Sequence, residues 1–356
     1  MKAVVLCAGL GTRLRPLTFS TAKHLIPVAN KPVLFYGIES LVEVGAREIG
    51  IVVSRESRPV IQNAVDDGSR WGAVVTYIEQ HHPRGLAHAC ACAEEFVGGE
   101  PFIMYLGDNL LPDGLRAPVE LFRSTGANAV VLLKEVDDPS RFGIAEIEGN
   151  RIVRLVEKPK EPRSNLAIVG GYIFDRNIFD SIRRISPSWR GEYEITDAIQ
   201  DLVDRGFTVL PYVVPGWWKD TGKPEDILDA NRVVLDGMRS AIEGTVDEAS
   251  ELRGTVIVSA GAEVVDCRIQ GPVIIGRDAR IFGATLGPYV SLGDRVHVRN
   301  SRLSNCVVME DTTIDHVELP LRDSLIGRRV VLRGHGQEPG MRLLLGDYCE
   351  VELREK

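Results

Sequence analysis

Short aliphatic runs alternate with segments of helical periodicity as far as about residue 240. The aliphatic runs are "AVVLC" at 3–7, "IGIVV" at 49–53, "VVTYI" at 74–78, "FIMYL" at 102–106 and "AVVLL" at 129–133. Runs of this length and character are typical of strands that are buried on both faces of a sheet. The pattern therefore predicts a strand at each of them.

The segments between these runs have the spacing of amphipathic helices. They are 32–45, 85–98 and 117–126, and a further helix is predicted at 224–240, with Pro224 at its start. Gly45, Gly98 and Gly126 follow where a helix C-cap is expected. Strands that alternate with helices predict an open α/β sheet.

Beyond residue 250 the helical periodicity gives way to a repeat of 17 residues. One aliphatic ladder reads Val258, Ile275, Leu292, Met309 and Ile326; the others read Val264, Ile281 and Val298, and Ile269, Leu286 and Leu303. Three inward ladders separated by turns predict a triangular parallel β-helix. We therefore expect one domain at 1–243 and a second at 244–356.

The charge balance argues against nucleic acid as a partner. The chain has 50 acidic and 42 basic residues, a net charge of −8, and we find no basic patch. No apolar run reaches the ~18 residues that span a membrane, and we expect no signal peptide. The six cysteines form no CxxC pair, so we expect reduced thiols in a cytoplasmic protein.

The stretch "AGLGTRL" at 8–14 follows the first predicted strand. It is neither a P-loop nor a complete dinucleotide fingerprint. Small residues still let backbone N–H groups approach phosphate oxygens, and Arg13 and Lys23 add cationic donors. The glycines alone leave a phosphate loop and an ordinary strand-to-helix turn as even alternatives.

Two aspartates favour the phosphate site. Asp108, in "YLGDN", ends a predicted strand where open α/β sheets bind ligands, and Asp220 lies in "GWWKDTG". An aspartate in a turn is usually only a turn former. Two of them in a chain with a candidate phosphate loop predict Mg²⁺, held by carboxylates together with substrate phosphates.

The motifs together resemble the sugar-phosphate nucleotidylyltransferases, and among them the long-form glucose-1-phosphate thymidylyltransferases. The matching stretches are "LCAGLGTRLRPLT", "KHLIPVANKP", "YLGDN", "LVEKPKEPRSNLAIVGGYIF", "WRGEYEITDAI" and "WWKDTGKPEDILDANR". The resemblance implies a Rossmann-like open mixed sheet flanked by helices, followed by a left-handed parallel β-helix. It makes 1–243 the catalytic domain.

The resemblance also implies a role for each matching position. Nucleotide contacts fall to Leu6, Ala8, Gly9, Gly11, Thr12, Arg13, Gln80, Gly85 and Asp108. Sugar-phosphate contacts fall to Gly143, Glu157, Lys158, Ile168, Arg190 and Trp218. Asp108 and Asp220 match the magnesium carboxylates, and Arg13, Lys23 and Lys158 are the residues we expect to be catalytic. His24 stands where the family usually has glutamine.

The implied reaction is dTTP plus α-D-glucose 1-phosphate giving dTDP-glucose and pyrophosphate, a first step toward deoxysugars such as rhamnose. The same chemistry with UTP or another sugar 1-phosphate is an alternative, as is a bifunctional enzyme with a tail acyltransferase. His297, His316 and His335 could supply a base for the latter, but no motif surrounds them. The presence of all four charged residues Arg13, Asp108, Lys158 and Asp220 argues against a non-catalytic regulatory homologue. We expect a structural tail and a homo-oligomer.

Overall fold

The computed structural model describes residues 1–334 and 347–352, and these residues form two units. The first contains Met1–Gly11, Thr21–Leu25 and Val33–Asp220. The second contains Thr12–Ser20, Ile26–Pro32 and the described residues from Thr221 onward. The predicted domain boundary at residue 243 lies close to the point where helices give way to the coils of short strands. The division into a domain at 1–243 and a second at 244–356 stays a prediction.

A nine-stranded mixed sheet forms the first unit. Its strands are β1 Lys2–Cys7, β2 Glu48–Val53, β3 Val74–Glu79, β4 Phe102–Leu106, β5 Ala129–Glu135, β6 Gly143–Glu148, β7 Arg151–Glu157, β8 Leu166–Phe174 and β9 Val209–Val213. The order is β7-β6-β8-β4-β1-β2-β3, and β5 pairs with β8 and β9. β8 runs antiparallel to β4, β5 and β6. The pairs β4–β1, β1–β2 and β2–β3 are parallel. The predicted strands and the mixed α/β fold are confirmed.

Helices cover both faces of this sheet. They are α1 Val33–Glu43, α2 Arg58–Val65, α3 Leu86–Ala91, α4 Glu94–Val97, α5 Arg116–Thr125, α6 Asn177–Arg184 and α7 Ile195–Asp204. Val5 and Cys7 of β1 belong to the core under one face, and Val4 and Leu6 belong to the core under the other. Because successive side chains of a strand alternate between faces, a strand covered on both sides must be aliphatic throughout.

Two helical predictions differ from the structure in their bounds. The single helix predicted at 85–98 is divided into α3 and α4, because the backbone tightens where the N–H of Ala93 donates to the carbonyl of Cys90. The helix predicted at 224–240 is α8, Pro224–Asp236, and belongs to the second unit. Gly45, Gly98 and Gly126 all have positive φ, as a helix C-cap requires.

Most of the second unit is a parallel β-helix. Its strands are Ala241–Ile242, Thr245–Val246, Glu251–Arg253, Val256–Val258, Glu263–Val265, Arg268–Gln270, Val273–Ile275, Arg280–Phe282, Thr285–Leu286, Val290–Leu292, His297–Arg299, Arg302–Val308, Thr313–Asp315, Leu321–Ile326 and Val331–Arg333. Each pairs in parallel with the strand one coil further along. A left-handed turn of the coils stays a prediction.

The ladders of the β-helix are those expected, with one correction. Val258, Ile275 and Leu292 are in register, but the next partner is Val308 and not Met309. The coil after Leu292 is one residue shorter than the repeat, and the following coil, which aligns Val308 with Ile326, is one residue longer. The aliphatic spacing cannot show this, because Met309 is also buried.

The connections between the main helices and strands contain short elements of secondary structure. Two-residue strands pair Pro27–Val28 with Lys31–Pro32, and Asn109–Leu110 with Lys219–Asp220. Single turns of 3-10 helix lie at Thr12–Leu14, Leu17–Phe19, Lys23–Leu25, Ser69–Trp71 and Pro139–Arg141. Among the described residues, no helix is long and apolar enough to cross a membrane.

Leu292→Asp should unfold the β-helix locally. Leu292 is fully buried in a ladder, and an unpaired charge there costs several kcal/mol. Val331→Asp is the matched control, because Val331 lies in a strand of the same domain but is exposed. Thermal unfolding followed by circular dichroism should show a large loss of stability only for Leu292→Asp. Equal melting of the two variants would contradict the ladder.

Candidate active site

The loop after β1 contains the first predicted nucleotide residues. Leu6 and Ala8 are buried, and Gly9 is exposed. A Cβ at Gly9 would lie 3.1 Å from Cε of Lys23, so glycine lets the backbone pass close to this lysine. Gly11 has a φ of +64°, which glycine adopts without strain. The loop can therefore present N–H groups to an anion beside a lysine.

Thr12 and Arg13 continue this loop as a turn of 3-10 helix. Both side chains are exposed, whereas Leu14 is buried and anchors the turn. These residues belong to the second unit. Their predicted contact with the triphosphate stays a prediction.

Lys23 and Asp108 form a largely buried ion pair. The Nζ of Lys23 donates to Oδ2 of Asp108. Burial alone would raise the pKa of Asp108, but the charge of Lys23, and hydrogen bonds from Lys23 and Asn109, hold this pKa well below its usual range. Asp108 is therefore a carboxylate at neutral pH.

A short antiparallel pairing brings Asp220 beside Asp108. Asn109, the next residue after Asp108, is the register partner of Asp220. Residues opposite each other in such a pair have Cα atoms about 4.5–5.5 Å apart. Among the described residues, no group of three or more His, Cys, Asp or Glu side chains could hold a metal. Two carboxylates fit Mg²⁺, which commonly completes its shell with substrate phosphates and water.

Asn109 is a site residue that sequence reasoning overlooked, although it is part of "YLGDN". Its Nδ2 donates to Oδ1 of Asp108 over 3.0 Å, and its Oδ1 accepts from Nε1 of Trp218 over 2.5 Å. A Cβ at Gly170 would lie 2.5 Å from the Asn109 amide, so only glycine fits there. Asn109 thus fixes Asp108 relative to Trp218, the predicted wall of the sugar site.

The predicted sugar residues lie together at the ends of β6, β7 and β8. A Cβ at Gly143 would lie 3.0 Å from Oε2 of Glu157 and 3.2 Å from Cδ1 of Ile168. The hydroxyl of Thr196 donates to the same Glu157 oxygen over 2.7 Å. Thr196 was not predicted, because its place in "EITDAI" gives only a helix start. The missing Cβ at Gly143 leaves the carboxylate accessible from the backbone side.

Lys158 and Arg190, the predicted sugar-phosphate cations, both approach Glu157. Its Oε1 lies 3.7 Å from Nζ of Lys158 and 3.5 Å from a guanidinium nitrogen of Arg190. Lys158 has a φ of +42°, a left-handed conformation that costs a lysine about 1 kcal/mol or more. Its N–H donates to the carbonyl of Phe142 over 3.0 Å, which holds this conformation. Two cations therefore approach the same carboxylate oxygen of Glu157, and their role toward a sugar phosphate stays a prediction.

Arg190 also forms ion pairs with two further acidic residues. Its guanidinium lies 3.2 Å from carboxylate oxygens of both Glu192 and Glu194. Burial, as the main cause, raises the pKa of Glu194 above its ordinary value. Arg190 is thus oriented by carboxylates and is not a mobile surface arginine.

Gln80 and Gly85, the predicted base readers, contact each other. Nε2 of Gln80 donates to the carbonyl of Gly85 over 3.3 Å and lies 2.9 Å from Nδ1 of His88. Gly85 has a φ of +105°, and a Cβ there would lie 2.5 Å from the carbonyl oxygen of Tyr193. Because the carbonyl of Gly85 can only accept, Nε2 is the donor, and Oε1 remains as the acceptor that this amide can offer a base.

His24, the departure from the family pattern, is buried and neutral. Burial, and next the adjacent Lys23, lower the pKa of His24 to about 3. A Cβ at Gly107 would lie 3.2 Å from its Cδ2 and would press on Sγ of Cys7. The imidazole therefore packs beside the Lys23–Asp108 pair without adding charge.

The two tail histidines that the structure describes, His297 and His316, form no comparable site. His316 contacts Oδ1 of Asp315 and Nδ2 of Asn300, each over 2.7 Å. His297 lies on an outer face of the coils and is exposed. His335 lies outside the described residues.

Comparison with known proteins finds relatives that match this chain over most or all of its length. Residues 2–237 match the family model described as nucleotidyl transferase. A glucose-1-phosphate thymidylyltransferase of Streptomyces antibioticus is 44% identical over 99% of this chain and 100% of its own length. A UTP–glucose-1-phosphate uridylyltransferase of Haloferax volcanii, AglF, is 39% identical and is matched over its full length by 68% of this chain.

A solved structure of UDP-glucose pyrophosphorylase with UDP-glucose has a TM-score of 0.61 and 27% identity, covering 67% of this chain and 99% of that one. The structural match thus spans almost all of that protein but only part of this chain. With a family model over most of its length and a full-length relative, the chain belongs to the nucleotidyl transferase family and is a nucleotidyltransferase.

Proposed function

We propose that this protein transfers the thymidylyl group of dTTP to α-D-glucose 1-phosphate, releasing pyrophosphate and forming dTDP-glucose. The observation that carries the choice of substrates is the 44% identity to a protein named for this activity, which extends over 99% of this chain. The geometry suits a reaction between two anions. Lys23 is paired with Asp108, and Lys158 and Arg190 both approach Glu157.

In this proposal the sugar phosphate is the nucleophile. One of its oxygens attacks the α-phosphorus of dTTP, and pyrophosphate leaves in line. Lys158 and Arg190 hold the attacking phosphate, while Lys23 and Arg13 hold the nucleotide phosphates. A phosphate monoester is already ionised near neutral pH, so the chain needs no strong general base. Catalysis is positioning and charge neutralisation.

Asp108 and Asp220 would hold the divalent cation, Mg²⁺ in our proposal, which when bound neutralises phosphate charge. The pairing of Lys23 with Asp108 keeps that carboxylate ionised and ready for a cation. Glu157 would accept hydrogen bonds from hydroxyl groups of the sugar, and Trp218 would form a wall of the sugar site. We place the enzyme in the cytoplasm, in accord with its six free cysteines, and at the start of a deoxysugar route such as that to rhamnose.

Initial rates decide between dTTP with glucose 1-phosphate and the alternative substrates. We expect dTTP with glucose 1-phosphate to give the highest kcat/KM among dTTP, UTP, dCTP and dGTP, each with glucose, mannose or N-acetylglucosamine 1-phosphate. Mass spectrometry of the products identifies the sugar nucleotide. A higher kcat/KM with UTP or another sugar would replace the proposed substrates, and acetyl-CoA-dependent product would support a tail acyltransferase.

Asp108→Asn and Asp220→Asn should each lower kcat by about 100- to 1000-fold, because each removes a charged ligand where phosphate charge is neutralised. The control is Asp137→Asn, an exposed aspartate after β5. Circular dichroism should show native secondary structure in all three variants, with a lower melting temperature for Asp108→Asn, which removes the charged partner of the largely buried Lys23. Rates near wild type at saturating Mg²⁺ in both site variants would contradict the metal assignment.

Lys158→Ala should raise the KM for the sugar phosphate about tenfold or more and change that for nucleotide little, because it removes a charge-assisted hydrogen bond to one substrate. Arg13→Ala should instead lower kcat, because its charge is needed where pyrophosphate departs. Lys160→Ala, at an exposed neighbouring lysine, is the control. Steady-state kinetics with each substrate varied tests the assignment, and the opposite pattern would exchange the two roles.

A further inference from the structure

Two N-terminal segments fold with the second unit instead of with the sheet. They are Thr12–Ser20 and Ile26–Pro32, and Lys23 lies between them in the chain. The first contains Thr12 and Arg13. The backbone on both sides of Lys23 is thus held within the unit that contains the β-helix.

The second segment is a strained hairpin. Its strands Pro27–Val28 and Lys31–Pro32 are joined by Ala29 and Asn30, with φ of +47° and +61°. Positive φ at both central residues is a requirement of the type I′ turn. Ala29 adopts this conformation at a cost, because its Cβ crowds the backbone. The turn therefore needs partners that hold it.

Those partners come from α8 and the β-helix. The Oδ1 of Asn231, on α8, accepts from the N–H of Ala29 over 2.8 Å and from the hydroxyl of Ser291 over 2.7 Å. Nδ2 of Asn30 donates to the carbonyl of Leu292 over 2.6 Å. Asn231 and Ser291 are fully buried, so water cannot replace these bonds without opening the packing.

The amide of Asn231 depends on Ser291 for its orientation. Its Nδ2 has no hydrogen-bond partner among the described residues, so both of its bonds are made by Oδ1. Removing the Ser291 hydroxyl would leave the N–H of Ala29 as the single described partner of this side chain. The Asn231 amide would then be held less firmly beneath the turn, while the packing around it remains.

The first segment is anchored to other parts of the same unit. A Cβ at Gly327 would lie 3.0 Å from Cδ2 of Leu17, so Leu17 packs directly on a coil. The guanidinium of Arg15 lies 5.0 Å from the ring centre of Phe19 and 5.3 Å from that of Tyr348, and the two rings are 5.6 Å apart. Cation–π and tilted ring contacts at these distances are attractive.

We propose that the β-helix domain is a positioning element for the transfer reaction, acting through Ser291 on the hairpin after Lys23 and through Tyr348 on the segment that carries Arg13. This proposal rests on the proposed function. It replaces the expectation from sequence that the tail is structural alone. Ser291 and Tyr348 touch no substrate in this proposal; they are positioning residues.

Ser291→Ala in the full chain should lower kcat for dTDP-glucose formation about tenfold, since small misplacements of reacting groups are costly. Ser301→Ala is the matched control. Ser301 is also buried. Its hydroxyl accepts from the N–H of Val317 and donates to the backbone carbonyl of Arg299, and both partners lie within the coils. Both variants should lose similar thermal stability. Equal kcat in the two would overturn the role of Ser291.

Tyr348→Ala should raise the KM for dTTP or lower kcat several-fold while leaving the KM for glucose 1-phosphate unchanged. Tyr348→Phe keeps the ring over Arg15 and should restore wild-type values. A purely structural role predicts no split between the substrates. Unchanged kinetics in Tyr348→Ala would overturn the role of Tyr348.

Hydrogen exchange separates a failure of this inference from a failure of the proposed function. Ser291→Ala should speed amide exchange in peptides spanning 26–32, and Ser301→Ala should not. This readout needs no turnover. If wild type makes no dTDP-glucose, the proposed function is wrong, and the exchange difference still supports the anchoring. If exchange in 26–32 is the same in both variants, the anchoring is wrong whatever the substrate.

Discussion

The buried pair of Lys23 and Asp108 is the constraint around which the first unit is arranged. Two buried charges cost several kcal/mol each to desolvate, and their attraction offsets this only with good geometry and further hydrogen bonds. The surroundings supply both. Gly9 lets the backbone pass Lys23, Asn109 donates to the second oxygen of Asp108, and the neutral His24 adds no competing charge.

Glu157 is a second carboxylate that is balanced by neighbouring cations. An acid in a site for a sugar phosphate would repel the ligand if it stood alone. Here it lies close to Lys158 and Arg190, and Thr196 donates to its other oxygen. In the proposed function the cations would be in place before the phosphate arrives, which would lower the reorganisation needed during the reaction. The left-handed backbone at Lys158 is the strain that this placement requires.

Local sequence patterns predict the strands, because a strand covered on both faces must be aliphatic at every position, as in "AVVLC". They also single out Asp108, which follows the end of a strand, whereas Lys158 is predicted only from the family resemblance. The same patterns misplace Met309, since a coil that is one residue short leaves a neighbouring apolar residue in its place. They cannot find Asn109, Thr196 or Ser291, whose roles come from partners distant in the chain.

The anchoring of the hairpin is divided between the region that matches the family model and the coils beyond it. Asn231, which bonds the strained turn at Ala29, lies within residues 2–237 that match the family model. Ser291 and Leu292, which add the further bonds, lie beyond it. The coils thus add bonds to a turn whose first support lies within the region that matches the family model. In our proposal, loss of the Ser291 hydroxyl therefore changes how accurately the turn is placed more than it changes which reaction occurs.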